Sequence, residues 1–219
     1  MANIIDATYF ERGSLYIPNN KDLTVQPTGS PSVVTELDSF IVIYERQLML
    51  NALGVTLYDE LVIALDDLDN AGNLKWKNLV EGIKYTNVDG KVKVWDGLKG
   101  YNGQSLIAYY IFTEYLRNDN ETYATVGVVK NNAKNAEVVN PTPKFIKAYN
   151  QFIKFYQGEY NSSGPRIIVN GFGSIGMDWY NETAQVSLYN YITDANDLDA
   201  TNFPDFEFRV YENLNSLGI

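Results

Sequence analysis

The stretch IIVNGFGSIG, residues 167–176, runs three β-branched residues into Gly171, Gly173 and Gly176. This is the G-x-G-x-x-G spacing of dinucleotide-binding folds. There, a strand feeds a glycine turn, a helix starts at the turn and holds the pyrophosphate, and a second parallel strand brings an acid to the ribose. The strand is plausible here, but the rest of the context is missing. MDWYNET follows Gly176 without apolar periodicity, and DANDLDATN occupies the place of the ribose acid. The glycines therefore read as a loop that needs positive φ or close backbone approach. DLDNAG, from Asp67, opens like a calcium loop, with Asp67, Asp69 and Gly72 at positions one, three and six. Ala71 and Asn78 then stand where ligands are required, so a helix-terminating loop is expected instead.

Other chemistry is narrowed by composition. The 219 residues include no cysteine and no histidine. Disulfides, thiolate nucleophiles, a Ser-His-Asp triad and most transition-metal sites are thereby excluded. A general base would have to be Asp, Glu, Lys or Tyr with a pKa moved by burial. Carboxylate pairs such as Asp66 and Asp67, or Glu207 and Glu212, are not framed by apolar residues in a way that suggests such a shift. No catalytic residue, cofactor site or metal site is assigned, and the chain is expected not to be an enzyme. Three Asn-x-Ser/Thr sequons, at Asn120, Asn161 and Asn181, are read as coincidences of an Asn-rich chain.

The formal net charge of −10 argues against a grip on nucleic acid, which needs a basic surface to displace counterions. Seventeen tyrosines supply apolar bodies with wet tips, the composition of interfaces or of core edges. No apolar run approaches the ~20 residues of a membrane span. The opening MANIIDATYFERG lacks the basic and apolar regions of a signal peptide. Synthesis in a cytoplasm, without a membrane partner, is expected.

The elements that must carry any function are mainly helical. Residues 1–34 read as an extended N-terminal arm, because Pro18, Pro27, Gly29 and Pro31 suit neither helix nor central strand. Leu37, Phe40, Ile41, Tyr44 and Leu48 mark a helix over 35–53 that stops at Gly54. A second helix follows from Thr56, and a third runs from Leu74 to Ile83. Alternation around Asp89-Gly90 then predicts a β-hairpin over 84–95, with both turn residues at positive φ. Lys91 and Lys93 would face one side and Val92 and Val94 the other.

SLIAYYIFTEYL, residues 105–116, is apolar nearly all round and suits the centre of a bundle. An irregular stretch with a strand-like ATVGVV leads to a helix from Thr142 to Gly158. Its face is Phe145, Ile146, Tyr149, Phe152, Ile153 and Tyr156, with Lys144, Lys147 and Lys154 off it. The helical core thus spans 35–158. Residues 159–219 form an irregular C-terminal region packed on the core, with a short helix near 186–192 and an ambiguous tail from 203.

Several phrases in order along the chain carry a resemblance: YFERGSLYIPN, YERQLMLNALGVTLYDEL, WKNLVEGIKY with the following WDGL, SLIAYYIFTEYLRND, and NSLGI. The chain resembles the head-to-tail connector, or ring, proteins of crAss-like and related Bacteroides-infecting tailed bacteriophages. The resemblance implies a virion protein that assembles as a ring, commonly of twelve copies. Such a ring binds the portal protein on one side and an adjacent connector or tail protein on the other, with DNA passing through unbound. Segment 160–181 departs from the family texture. An acidic channel wall would let DNA slide, and a ring joins one face of a subunit to a different face of the next. The arm and the hairpin are the expected contact elements, through Leu15, Tyr16, Ile17, Tyr85, Val92, Val94 and Trp95. Two other readings compete. A carbohydrate-binding module would expose at least two of Trp76, Trp95 and Trp179 on one flat face, and an enzyme would need a cleft with two facing acids.

Overall fold

The computed structural model describes residues 3–17, 33–119, 122–124, 127–129, 142–158, 166–168, 174–176, 185–204 and 206–211. The fold is mainly helical, a bundle carrying a small antiparallel hairpin, as expected. Helix α1 spans Val33–Leu65 and is broken at Gly54, where φ is 78° and ψ is 173°. The break divides it where the expected stop and restart lie. Without a Cβ, glycine reaches this geometry at no steric cost. Helix α2 is Leu74–Glu81, α3 is Leu106–Asp119, α4 is Thr142–Gln157 and α5 is Leu188–Leu198.

Helix α3 is the centre of the bundle. Every residue from Leu106 to Glu114 is buried, and the helix packs against both α1 and α4. Helix α4 ends at Gly158, whose φ is 96° and whose N–H donates to the Lys154 carbonyl at 3.1 Å. By length and composition, α1 between Leu37 and Leu65 is apolar enough to cross a membrane. This departs from the expectation that no run comes close to a membrane span. The apolar row of α1 is spent on the bundle instead: Leu37, Ile41, Leu48, Ala52, Leu57 and Leu61 are all buried.

Strands β1 (Ile83–Thr86) and β2 (Val92–Trp95) form the expected hairpin, pairing Ile83 with Trp95 and Thr86 with Val92. Its turn differs from the expected two-residue form. The Gly90 N–H donates to the Asn87 carbonyl at 3.0 Å, and Asn87 N–H donates to the Lys91 carbonyl at 3.0 Å. Gly90 has a φ of 76°, whereas Asp89 is not among the residues with positive φ. The result is a three-residue loop, a tight turn closed by one left-handed glycine, which also fits the right-handed twist of the strands.

Two further hairpins join β3 (Thr122–Ala124) to β4 (Gly127–Val129) and β5 (Arg166–Ile168) to β6 (Ser174–Gly176). The second frames the glycine motif. Gly176 ends an antiparallel strand, so the strand–turn–helix of a dinucleotide site is not formed there. Gly171 and Gly173 lie outside the described residues, as do the three sequon asparagines.

The stretch expected as an extended arm departs from expectation over residues 3–17. Two 3-10 turns, Ala7–Phe10 and Gly13–Leu15, fold it onto the bundle. Ile4, Ile5, Phe10, Leu15 and Ile17 are buried there. The proline and glycine density that predicts an arm begins only at Pro18; residues 18–32 lie outside the described residues.

The segment 206–211 has no regular secondary structure yet is tied down by side chains. The Gln157 amide donates to the Tyr211 carbonyl at 2.7 Å and accepts from the Tyr211 N–H at 2.8 Å. Phe208 stacks on Tyr156 with ring centroids 4.4 Å apart.

Candidate functional site

The hairpin is held at its base by groups that fix its direction. The Trp95 indole N–H donates to the Leu79 carbonyl of α2 at 2.9 Å, and the ring stacks on Tyr191 of α5 at 5.4 Å and 11°. Beyond β2 the chain runs back along α2, with the Leu98 and Lys99 N–H groups donating to the Leu79 and Val80 carbonyls, each at 3.0 Å. This approach requires Gly82 and Gly97, whose φ values are 91° and 82°. A Cβ on Gly97 would lie 2.5 Å from the Gly82 nitrogen. Tyr85 donates its hydroxyl hydrogen to the Asp194 carboxylate at 2.7 Å and meets Tyr191 edge to face. On the outer side of β2, the Val186 N–H donates to the Val94 carbonyl at 3.0 Å.

At Val92 and Lys93 the hairpin reverses the order of an ordinary surface ribbon. Register places Ile83, Tyr85, Lys93 and Trp95 on one face and Lys84, Thr86, Val92 and Val94 on the other. The first face turns inward, with Trp95 and even Lys93 buried. The second turns outward, with Val92 52% exposed and Val88 at the tip 56% exposed. Half-buried ribbons ordinarily put valines in and lysines out. An outward valine face is one that another surface must cover to gain from burial.

The seven contact residues expected from the sequence separate accordingly. Leu15, Ile17 and Trp95 lie inside this chain's own core at 3% exposure or less, leaving no area for a neighbour. Tyr16 is 47% exposed, and its carbonyl accepts from the Lys144 ammonium at 3.5 Å. Val92 is exposed, while Val94 and Tyr85 are half-buried. The hairpin brings Val92, Val94, Tyr85 and Trp95 together; Leu15, Tyr16 and Ile17 lie on a separate element.

Between β1 and α5 a cleft of about 130 Å³ is lined by Lys75, Ile83, Tyr85, Tyr191, Leu198 and Phe203, with Asn78 and Asn202 as further polar members. No carboxylate is among its lining residues. Among the described residues no three acids cluster as a metal site, and Asp69 of the calcium-like loop pairs with Lys77. Trp76 and Trp95 are each 3% exposed, so the flat aromatic face of a sugar platform is not formed by these two. Trp179 lies outside the described residues.

One buried acid escaped the sequence reading and corrects it. Glu45 of α1 is 7% exposed. Its two oxygens accept the N–H groups of Ile4 at 2.8 Å and Ile5 at 3.2 Å. Burial pushes its pKa up to about 7, against the pull of those two hydrogen bonds. The signal was present: Glu45 falls on the buried row of α1, four residues after Ile41 and four before Met49. It grips backbone, so its chemistry is docking of the 3–17 segment.

Trp95→Phe keeps the ring stack and deletes the indole N–H, leaving the Leu79 carbonyl with one donor fewer. The expected loss is about 1–2 kcal/mol of stability, measured by urea denaturation, with the hairpin amides gaining exchange rate before the rest of the bundle.

Comparison with protein-family models, with curated proteins and with solved structures returns no match to this chain.

Proposed function

We propose that this chain is a structural subunit of a tailed-phage particle, one that forms an oligomeric ring at the portal–tail junction and leaves a channel for the genome. The reading draws on the resemblance of its phrases to phage connector proteins. The observation that carries it is the inverted hairpin, a rigidly anchored ribbon that offers Val88 and Val92 to solvent while burying Lys93. Such a ribbon suits contact with another subunit, because covering it removes apolar area from water without reorganising the bundle. The net charge of −10 suits a wall past which DNA slides without being bound. Partners in this reading are further copies of the chain, the portal protein and the adjacent connector or tail protein.

Native mass measurement over a range of concentrations, alone and with the portal assembly, tests it. The expected result is a closed multiple of the subunit mass, twelve in a connector stack, formed in solution or on the portal. A chain that stays monomeric in both settings contradicts the proposal.

A further inference from the structure

We propose that the cleft between β1 and α5 is a socket for a tyrosine side chain, and that Tyr101 of a second copy fills it. This rests on the assembly reading above and adds a knob and a hole to it. The chemistry of the cleft selects a tyrosyl group. Its walls include the rings of Tyr85, Tyr191 and Phe203, and it encloses about 130 Å³. An apolar cavity of about 150 Å³ holds a benzene ring. Polar groups stand unused among these rings. Tyr191 is 5% exposed, and its hydroxyl makes no hydrogen bond to a described residue. The Asn78 side chain is half-buried and makes none either. Covering these groups with an aliphatic side chain would leave both unpaired, which is costly. A phenol brings a ring to the walls and one hydroxyl that both donates and accepts. No carboxylate lines the cleft and the Lys75 ammonium does, so a cationic occupant does not fit.

Tyr101 is the knob. It is 78% exposed, and no other large apolar side chain among the described residues is as exposed. Its ring and hydroxyl make no ring contact or hydrogen bond to a described residue. The turn beneath it is stiff. The Tyr101 carbonyl accepts the Gln104 N–H at 3.0 Å, and Asn102 and Gly103 between them have φ values of 53° and 76°. Two consecutive left-handed residues make the tight turn that Asn-Gly favours. A knob held this way loses little conformational freedom when it is caught. The other exposed large apolar side chains are aliphatic, apart from Tyr16 at 47%, which sits between the buried Leu15 and Ile17. Tyr101 does not line the cleft of its own chain. Knob and hole are therefore different surfaces, and their contact is heterologous, passing from copy to copy. An aromatic side chain seated in a desolvated pocket is a common form of interface hot spot. The socket also adjoins the hairpin, since β1 forms one of its walls.

The test pairs two variants of the full chain, read by sedimentation velocity alone and with the portal assembly. Tyr101→Ala removes the knob and keeps the socket. Ala195→Phe fills the socket and keeps the knob. Melting curves close to that of the parent confirm that each variant is folded. Each alone is expected to self-associate roughly 30-fold more weakly than the parent. An equimolar mixture should recover pairing without recovering larger assemblies, because one knob and one open socket remain between the two. A soluble probe, N-acetyltyrosinamide, tests the socket without depending on Ala195→Phe or on assembly. Titrated into Tyr101→Ala, it should give saturable NMR shifts at the Ile83, Ala195 and Leu198 methyls, and N-acetylalaninamide should not. Tyr101→Ala assembling as the parent does, a mixture that pairs no better than its components, or the absence of a saturable shift overturns this contact while leaving assembly through other surfaces standing. A parent chain monomeric alone and with the portal overturns both.

Discussion

Gly97→Ala is expected to lower stability by about 4 kcal/mol and to cripple assembly with it. Two costs combine. The φ of 82° is a region that an alanine enters only with strain. The added Cβ would also meet backbone, with the Gly82 nitrogen at 2.5 Å and the Glu81 carbonyl carbon at 2.6 Å. Backbone cannot swing aside as a side chain does, so the hairpin must lift from α2. Gly90→Ala is the control. Its φ of 76° imposes similar strain, but nothing lies within 4 Å of the new Cβ, and a loss of about 1 kcal/mol is expected. For a chain of this length, the midpoint of thermal unfolding should fall by roughly 8–16 °C in Gly97→Ala and by a few degrees in Gly90→Ala. Equal losses in the two variants would show that the close approach of Gly82 and Gly97 does not set the hairpin.

The second large effect is a pH dependence centred on Glu45. Its pKa is 4.5 in the unfolded chain and about 7 when folded. Between these values the folded protein holds a proton that the unfolded chain has released. The contribution of Glu45 to stability is therefore full below pH 4.5, falls as pH rises towards 7, and is flat beyond. The fall is on the order of 3 kcal/mol. Glu114 and Asp96 are also raised by burial and add slope of the same sign, so the parent curve alone does not isolate Glu45. Glu45→Gln does, since it keeps the shape and removes the proton. Urea denaturation of parent and variant should show their stability difference moving by about 3 kcal/mol in the variant's favour between pH 4.5 and 7. The Ile4 and Ile5 amides should exchange faster in the parent at the upper end of that range. A constant difference across pH would refute the assignment.

The legible part of the fold is the part whose physics is periodic. The row Leu37, Ile41, Leu48 and the row Tyr149, Phe152, Ile153, Tyr156 lie buried where a period of 3.6 puts them. Gly54 and Gly158 end helical segments where left-handed backbone is needed. Three features were not legible, each for a reason. Residues 3–17 fold as 3-10 turns, too short to show a period. Their burial depends on Glu45, a residue forty positions away in sequence. The segment 206–211 is ordered by side chains reading its backbone, Gln157 above all, and backbone leaves no trace in residue types. The hairpin was legible as a ribbon but not in its orientation. Alternation shows that Val92 and Val94 face away from Lys93; only the seating of Trp95 on Leu79 and Tyr191 decides that the Lys93 face turns inward.

That inversion is the centre of the functional account, and it applies equally to the candidate contact residues. Sequence could nominate Trp95 and Val92 together, being three residues apart on one strand. The fold makes Trp95 the anchor and Val92 the free surface.

The most direct test is an electron cryo-microscopy reconstruction of the assembly formed by the full chain, alone or on the portal. The account predicts a closed ring in which the side chains of Val88 and Val92 are packed against the next subunit. A reconstruction in which the outer face of the ribbon remains in solvent on every subunit would contradict it.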